Sequence, residues 1–136
     1  MWVTKKPELG DQIRVSRGLY YHHGIYENDD TIYQFASPVG SEVSASTAEV
    51  CICNLETFLK GGVLEVRLYS DSELKEKRSP SEIIEYAKNH LGEKGYDLIS
   101  NNCEHFASRC VFGKSESSQV DDVFSMLSKM FGGYDK

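Results

Sequence analysis

The sequence lacks an excess of positive charge: fifteen Lys and Arg stand against twenty-one Asp and Glu, a formal net charge of −6 over 136 residues. Nucleic-acid binding normally shows as a basic patch or stripe, so the balance argues against that class of partner. It also supplies no overall attraction to anionic membranes. Long apolar runs are missing too. No stretch reaches the roughly eighteen apolar residues of a membrane span. The opening Met1-Trp2-Val3-Thr4-Lys5-Lys6-Pro7 has no apolar segment of the kind a secretory signal carries. The expectation is a cytoplasmic protein with no transmembrane segment. The Cys-x-x-Cys spacing of redox and zinc motifs is absent, since one residue separates Cys51 from Cys53. No histidine spacing completes a zinc set with them, so neither metal nor cofactor is implied. The four cysteines, Cys51, Cys53, Cys103 and Cys110, are expected as thiols. No internal repeat, low-complexity tract or domain-separating linker appears.

What is present fits one domain over residues 1–136. A turn at Gly10-Asp11-Gln12 leads to a short strand over Ile13–Ser16, which alternates apolar and polar residues. A second strand is predicted over Tyr20–Tyr26, a polar hairpin connection over Glu27–Asp30, and a returning strand over Thr31–Phe35. Ser37–Thr47 reads as a loop. Val50–Asn54 is a short apolar run, Leu55–Leu59 a turn or two of helix ended by Gly61-Gly62, and Val63–Tyr69 the best-patterned strand. Asp71–Arg78 is charged and solvent-facing. Ser79-Pro80-Ser81-Glu82 starts a helix with a cap, a proline in the first turn and an acid near the positive end of the dipole. That helix runs through Leu91 and ends at Gly92 and Gly95. A further helix begins close to Cys103, with Phe106, Ala107, Cys110 and Val111 on one face, and a short amphipathic helix spans Val120–Phe131. Strands in the first half and helices in the second predict an α+β fold.

Cys103 carries the chemistry. A cysteine at a helix start gains from the positive end of the dipole, which lowers a thiol pKa, and Asn101 or Asn102 is placed to cap the turn. The unpaired N–H groups there, that of Cys103 included, suit a developing oxyanion. A cysteine nucleophile needs a base, usually histidine. His105 sits two residues along the same helix and points about 200° away. His90 lies near a helix end, where a histidine commonly meets the last carbonyls. His22 and His23 lie on one strand and point to opposite faces, so one of them faces the site. Gln34, on the partner strand, is placed to accept the other imidazole N–H and fix its tautomer.

The run Leu19-Tyr20-Tyr21-His22-His23-Gly24-Ile25-Tyr26, followed later by Asn101-Asn102-Cys103-Glu104-His105-Phe106-Ala107, resembles the lecithin:retinol acyltransferase family with its small phospholipase/acyltransferases. Gly10-Asp11 and Leu55-Glu56-Thr57-Phe58-Leu59 also resemble family positions, so the similarity covers about residues 8 to 112. The resemblance implies a circularly permuted papain-like fold, a small antiparallel sheet packed against helices, with the nucleophile at a helix N-terminus. It implies Cys103 as nucleophile and His22 as catalytic histidine, with His23 in the aromatic position that follows. The family's third member is usually another histidine; here that position is Gln34, which can orient an imidazole but carries no charge. Tyr21, His23 and the Cys103 N–H are further pocket or oxyanion candidates. The implied activity is acyl transfer or hydrolysis on phospholipid-like esters through a Cys103 thioester. Animal family members anchor through a hydrophobic C-terminal segment. The helix over Val120–Phe131 is too short to span, so it is expected to pack on the domain, with in-plane peripheral membrane contact as the alternative.

Other readings stand beside these. NlpC-type cysteine peptidases, more distant relatives, share the site, and a non-catalytic interaction module would explain Gln34. His105 and Glu104 are expected to fix the helix start, Cys110 to pack in the core, and Cys51 and Cys53 to be buried strand thiols.

Overall fold

A computed structural model describes residues 1–37, 47–97 and 102–113. The expected loop over Ser37–Thr47 therefore falls almost wholly outside the described residues, as do Asn101 and the expected helix over Val120–Phe131. Six strands form one antiparallel sheet: β1 (Trp2–Val3), β2 (Gln12–Ser16), β3 (Tyr21–Asn28), β4 (Thr31–Ala36), β5 (Glu49–Cys53) and β6 (Glu65–Arg67). Their order across the sheet is β1-β6-β2-β3-β4-β5. Four helices complete the described chain: α1 (Leu55–Leu59), α2 (Asp71–Glu76), α3 (Pro80–Asn89) and α4 (Cys103–Phe112). The architecture is the small antiparallel sheet with helices, α+β, that the sequence predicts.

Alternation along the central strands sorts the core into two layers. Ile25, Tyr33, Phe35 and Val50 face α3 and α4, packing with Ile83, Ile84, Ala87, Phe106, Ala107, Cys110 and Val111. Ile13, Val15, Tyr26, Ile32 and Val66 face the other way and close around Phe58 of α1. β4 is buried on both faces, which suits its unbroken Ile-Tyr-Gln-Phe-Ala run.

Several expectations need correction. Val63–Tyr69 yields only the three-residue β6, because its ladder partners, Ile13 and Arg14 of β2 and the two residues of β1, are themselves few. The charged stretch after it is not merely solvent-facing: Ser70 and Glu73 form a reciprocal capping box that turns Asp71–Glu76 into a helix. α3 starts as predicted, with Ser79 and Glu82 capping each other. It ends at Asn89 rather than at the glycines, and the His90 ring nitrogen Nδ1 meets the Tyr86 carbonyl at 2.8 Å. Cys51 and Cys53 are half-buried, since β5 is the sheet edge.

Candidate active site

α4 begins at Cys103 because Asn102 caps it. The Asn102 Oδ1 accepts the Glu104 and His105 N–H groups at 2.9 and 3.0 Å. His105 returns the contact, its Nδ1 accepting the Asn102 N–H at 3.0 Å. An imidazole thus takes the place glutamate holds in an ordinary capping box. Glu104 and His105 are buried at this first turn, so both belong to the helix start, as expected from sequence.

The Cys103 sulfur meets β3. Along that strand, Arg17 N–H donates to Tyr20 O and Tyr26 N–H to Asp11 O. Alternation then points Tyr21 O and His23 N–H away from β2, toward the β4 side. The β3–β4 pairs begin only at Gly24 opposite Gln34, so this upstream edge has no ladder partner on β4. The sulfur takes that place, 3.8 Å from Tyr21 O and within reach of the His23 backbone N–H. It therefore touches the backbone on either side of His22.

The thiol is 3% exposed. Burial pushes its pKa up to about 11, against the opposing pull of backbone N–H groups of His23, Glu104 and Cys103. The sequence-based expectation of a dipole-lowered pKa is thus corrected: desolvation outweighs the helix terminus, and the resting group is the neutral thiol. Three N–H groups nevertheless converge near the sulfur, a setting that favours negative charge once it develops.

The two histidines diverge as their strand requires. His22 faces the α1 side, its ring centroid 5.0 Å from that of Phe58. Gly24 makes this approach feasible, because a Cβ there would lie 2.7 Å from the Phe58 ring. His22 Nε2–H donates to Gln34 Oε1 at 2.8 Å, and the Gln34 amide nitrogen reaches the Cys51 sulfur at 3.8 Å. With the carbonyl end of Gln34 turned to Nε2, the proton sits on Nε2 and the lone pair on Nδ1. The hydrogen bond expected between His22 and Gln34 is present.

His23 faces the other side. Its ring meets Trp2 edge-on at 5.4 Å, and its Nδ1 lies 3.1 Å from Gln12 Nε2. Arg67 donates to Gln12 Oε1 at 3.0 Å and to Glu73 at 2.7 Å, which fixes the Gln12 amide so that its N–H donates to His23. Among the described residues, His23 Nε2 is buried with no hydrogen-bond partner. Burial lowers its pKa to about 4, opposed by the nearby Glu104 carboxylate. His23 is a neutral, buried imidazole whose Nδ1 lone pair is already engaged.

Tyr21 contributes its backbone carbonyl to the sulfur, while its ring lies 3.8 Å from the Arg14 guanidinium. Arg14 also stacks on Trp2 at 4.3 Å and pairs with Glu65 at 2.7 Å. Sequence reasoning missed Gln12 and Arg67. Sequence patterning places Gln12 in a turn, whereas it is the first residue of β2 and fully buried. Among the described residues, no three His, Cys, Asp or Glu side chains gather as a metal site, and no helix is long and apolar enough to cross a membrane.

Human phospholipase A and acyltransferase 4 is 33% identical over 127 residues, covering 86% of this chain and 77% of that protein. Human phospholipase A and acyltransferase 3 is 33% identical over 134 residues, covering 90% and 82%. Rat lecithin retinol acyltransferase is 24% identical over 132 residues, covering 82% and 57%. The family model described as lecithin retinol acyltransferase matches residues 5–116, which include β2, the His22 strand, Gln34 and the whole of α4. The chain belongs to the lecithin retinol acyltransferase family and is an enzyme of that type.

Proposed function

We propose that the protein is a thiol-dependent acyltransferase and hydrolase that works through a Cys103 thioester, with a phospholipid or similar acyl ester as donor. The observation that carries this reading is the bond from His22 Nε2–H to Gln34 Oε1, 2.8 Å long, on the strand whose backbone meets the Cys103 sulfur. It supports a tautomer with the proton on Nε2, in which Nδ1 serves as the base. The names of the relatives, phospholipase A and acyltransferase, support the substrate class.

Because Cys103 rests as a thiol, attack and proton transfer are coupled. His22 Nδ1 takes the S–H proton as the sulfur adds to the ester carbonyl. The carbonyl oxygen becomes an oxyanion held by the backbone N–H groups of Cys103 and His23. The C–O bond then breaks, and the His22 imidazolium returns its proton to the departing alcohol oxygen, leaving a thioester on Cys103. Water, an amine or another alcohol attacks the thioester next, giving its proton to His22; the C–S bond breaks, the free acid or acylated acceptor leaves, and the imidazolium returns the proton to the sulfur as the thiol. Gln34 accepts from Nε2–H throughout and holds the ring, but its neutral amide stabilises the imidazolium less than a charged partner. The arrangement of cysteine helix against histidine strand fits a circularly permuted papain-like unit, and the setting of the reaction is cytoplasmic, at or near a membrane surface.

The test is release of fatty acid from short-chain phosphatidylcholine by wild type and by Cys103→Ala. Release by the wild type alone supports the reading. Equal release by both, or none by a wild type whose Cys103 still reacts with iodoacetamide, overturns it.

A further inference from the structure

The sheet has one end where the site sits and two loops project. β2 finishes at Ser16 and β3 starts at Tyr21, so the hairpin Arg17-Gly18-Leu19-Tyr20 lies directly before the Tyr21 carbonyl that meets Cys103. β6 pairs with β2 through Arg14 opposite Glu65 and Ile13 opposite Val66. Continuing that antiparallel register places Val63 across from Ser16, at the same end. Gly62 confirms the proximity, since a Cβ on it would lie 2.6 Å from Val15 and 3.8 Å from the Ser16 carbonyl. The Arg17 guanidinium donates to Phe58 O at 2.6 Å and Leu59 O at 3.4 Å, tying the hairpin to the end of α1. Three segments therefore make one surface: the hairpin, the end of α1 and residues 62–64.

That surface is apolar at its tips. Leu19 is 101% exposed and Val63 67%, with Tyr20 half-buried between the tip and the strand. Among the described residues the other exposed large apolar side chains lie elsewhere: Leu9 before β2, Met1 and Leu68 at the opposite end of β6, Leu74 on α2, Leu91 after α3 and Ile52 on the edge strand β5. Exposing a leucine fully at a hairpin tip gains nothing in water, whereas inserting it into an acyl layer removes its whole apolar surface from water. Tyrosine suits the boundary between headgroups and chains. The charged groups at this end are Arg17 and Lys60, with Glu56 one turn before Lys60 on α1, while Glu65 is ion-paired with Arg14. The balance here is one positive charge, against −6 for the whole chain, which fits anionic headgroups.

Resting on the proposed phospholipid chemistry, we infer that Leu19, Tyr20 and Val63, flanked by Arg17 and Lys60, form the surface that seats this enzyme on a phospholipid bilayer, with the Cys103 site directed at the membrane. A thiol 3% exposed to water is then reached by a lipid entering from the acyl layer beside β3.

The experiment compares wild type, Leu19→Asp/Val63→Asp and the control Leu74→Asp. Each is co-sedimented with vesicles of phosphatidylcholine and phosphatidylserine and assayed on monomeric short-chain phosphatidylcholine. The double variant should lose about tenfold or more in vesicle binding, as burial of two aliphatic side chains predicts. Leu74→Asp should bind as wild type, and both variants should hydrolyse monomeric substrate within about twofold of wild type. Vesicle binding by the double variant equal to wild type, or no binding by wild type, overturns the inference. If no protein cleaves the monomeric ester while binding still depends on Leu19 and Val63, the docking surface stands and the phospholipase reading falls.

Discussion

His22 and His23 leave the same strand in opposite directions, are equally buried, and each meets a glutamine. The two amides present opposite ends. Gln34 turns its carbonyl oxygen to His22 Nε2, so the imidazole donates there and keeps its lone pair on Nδ1. Gln12, its oxygen engaged by Arg67, turns its N–H to His23 Nδ1, so that lone pair is consumed and a proton is trapped on Nε2. In the proposed mechanism the direction of one neighbouring amide, and not burial alone, separates the two rings. The proposed mechanism has His22 accept the proton, whereas His23 links β3 to Gln12 of β2.

The comparison predicts a graded series. Cys103→Ala should abolish ester hydrolysis, a loss of about three orders of magnitude or more in kcat, measured by fatty-acid release. His22→Ala should cost about 10²–10⁴-fold in kcat/KM. His23→Phe, which keeps an aromatic ring in the same space, should cost less than about tenfold. Reversal of that order would exchange the roles assigned to the two rings. Gln34→Leu removes the acceptor from His22 Nε2–H and should lower kcat/KM by about 10–100-fold, the cost of a buried donor left unpaired. Gln34→Asn would recover part of the rate only if the shorter amide still reaches Nε2.

The two faces should also separate under pH. The folded-state pKa of His23, about 4, lies below the ordinary imidazole value. Between that value and about 6.5 the unfolded chain binds more protons than the folded one. This contribution to stability is complete above about pH 6.5 and is lost as pH falls toward 4, on the order of 3 kcal/mol in all. Urea midpoints at pH 7.5 and 4.5 should therefore fall further apart for wild type than for His23→Phe. On the other face of the argument, Cys103, with its pKa raised to about 11, should alkylate with a rate still climbing above pH 9. An ordinary thiol, of pKa about 8.5, levels off there.

Much of this site was legible in the sequence. Period-two alternation was enough to put His22 and His23 on opposite faces, and the Asn101-Asn102 pair before Cys103 was enough to start α4, though not to say which asparagine caps it. Gln34 was found because a hairpin brings its two strands together locally. What sequence did not show depends on contacts between distant segments. Gln12 acquires its role only because Arg67, on β6, reaches across the sheet to its oxygen. The thiol pKa depends on how deeply α4 presses Cys103 into β3, and local dipole reasoning gave the wrong sign. β1 was missed because two residues have no periodicity, and α2 because its capping box lay inside a run of charges.

The central claim is tested most directly by the intact mass of the protein after incubation with short-chain phosphatidylcholine, wild type beside Cys103→Ala. The account predicts one added acyl group on the wild type, absent from Cys103→Ala and removed by hydroxylamine as a thioester is. Fatty acid released by a wild type that never carries the adduct under rapid acid quench, or an adduct of equal yield on Cys103→Ala, would contradict it.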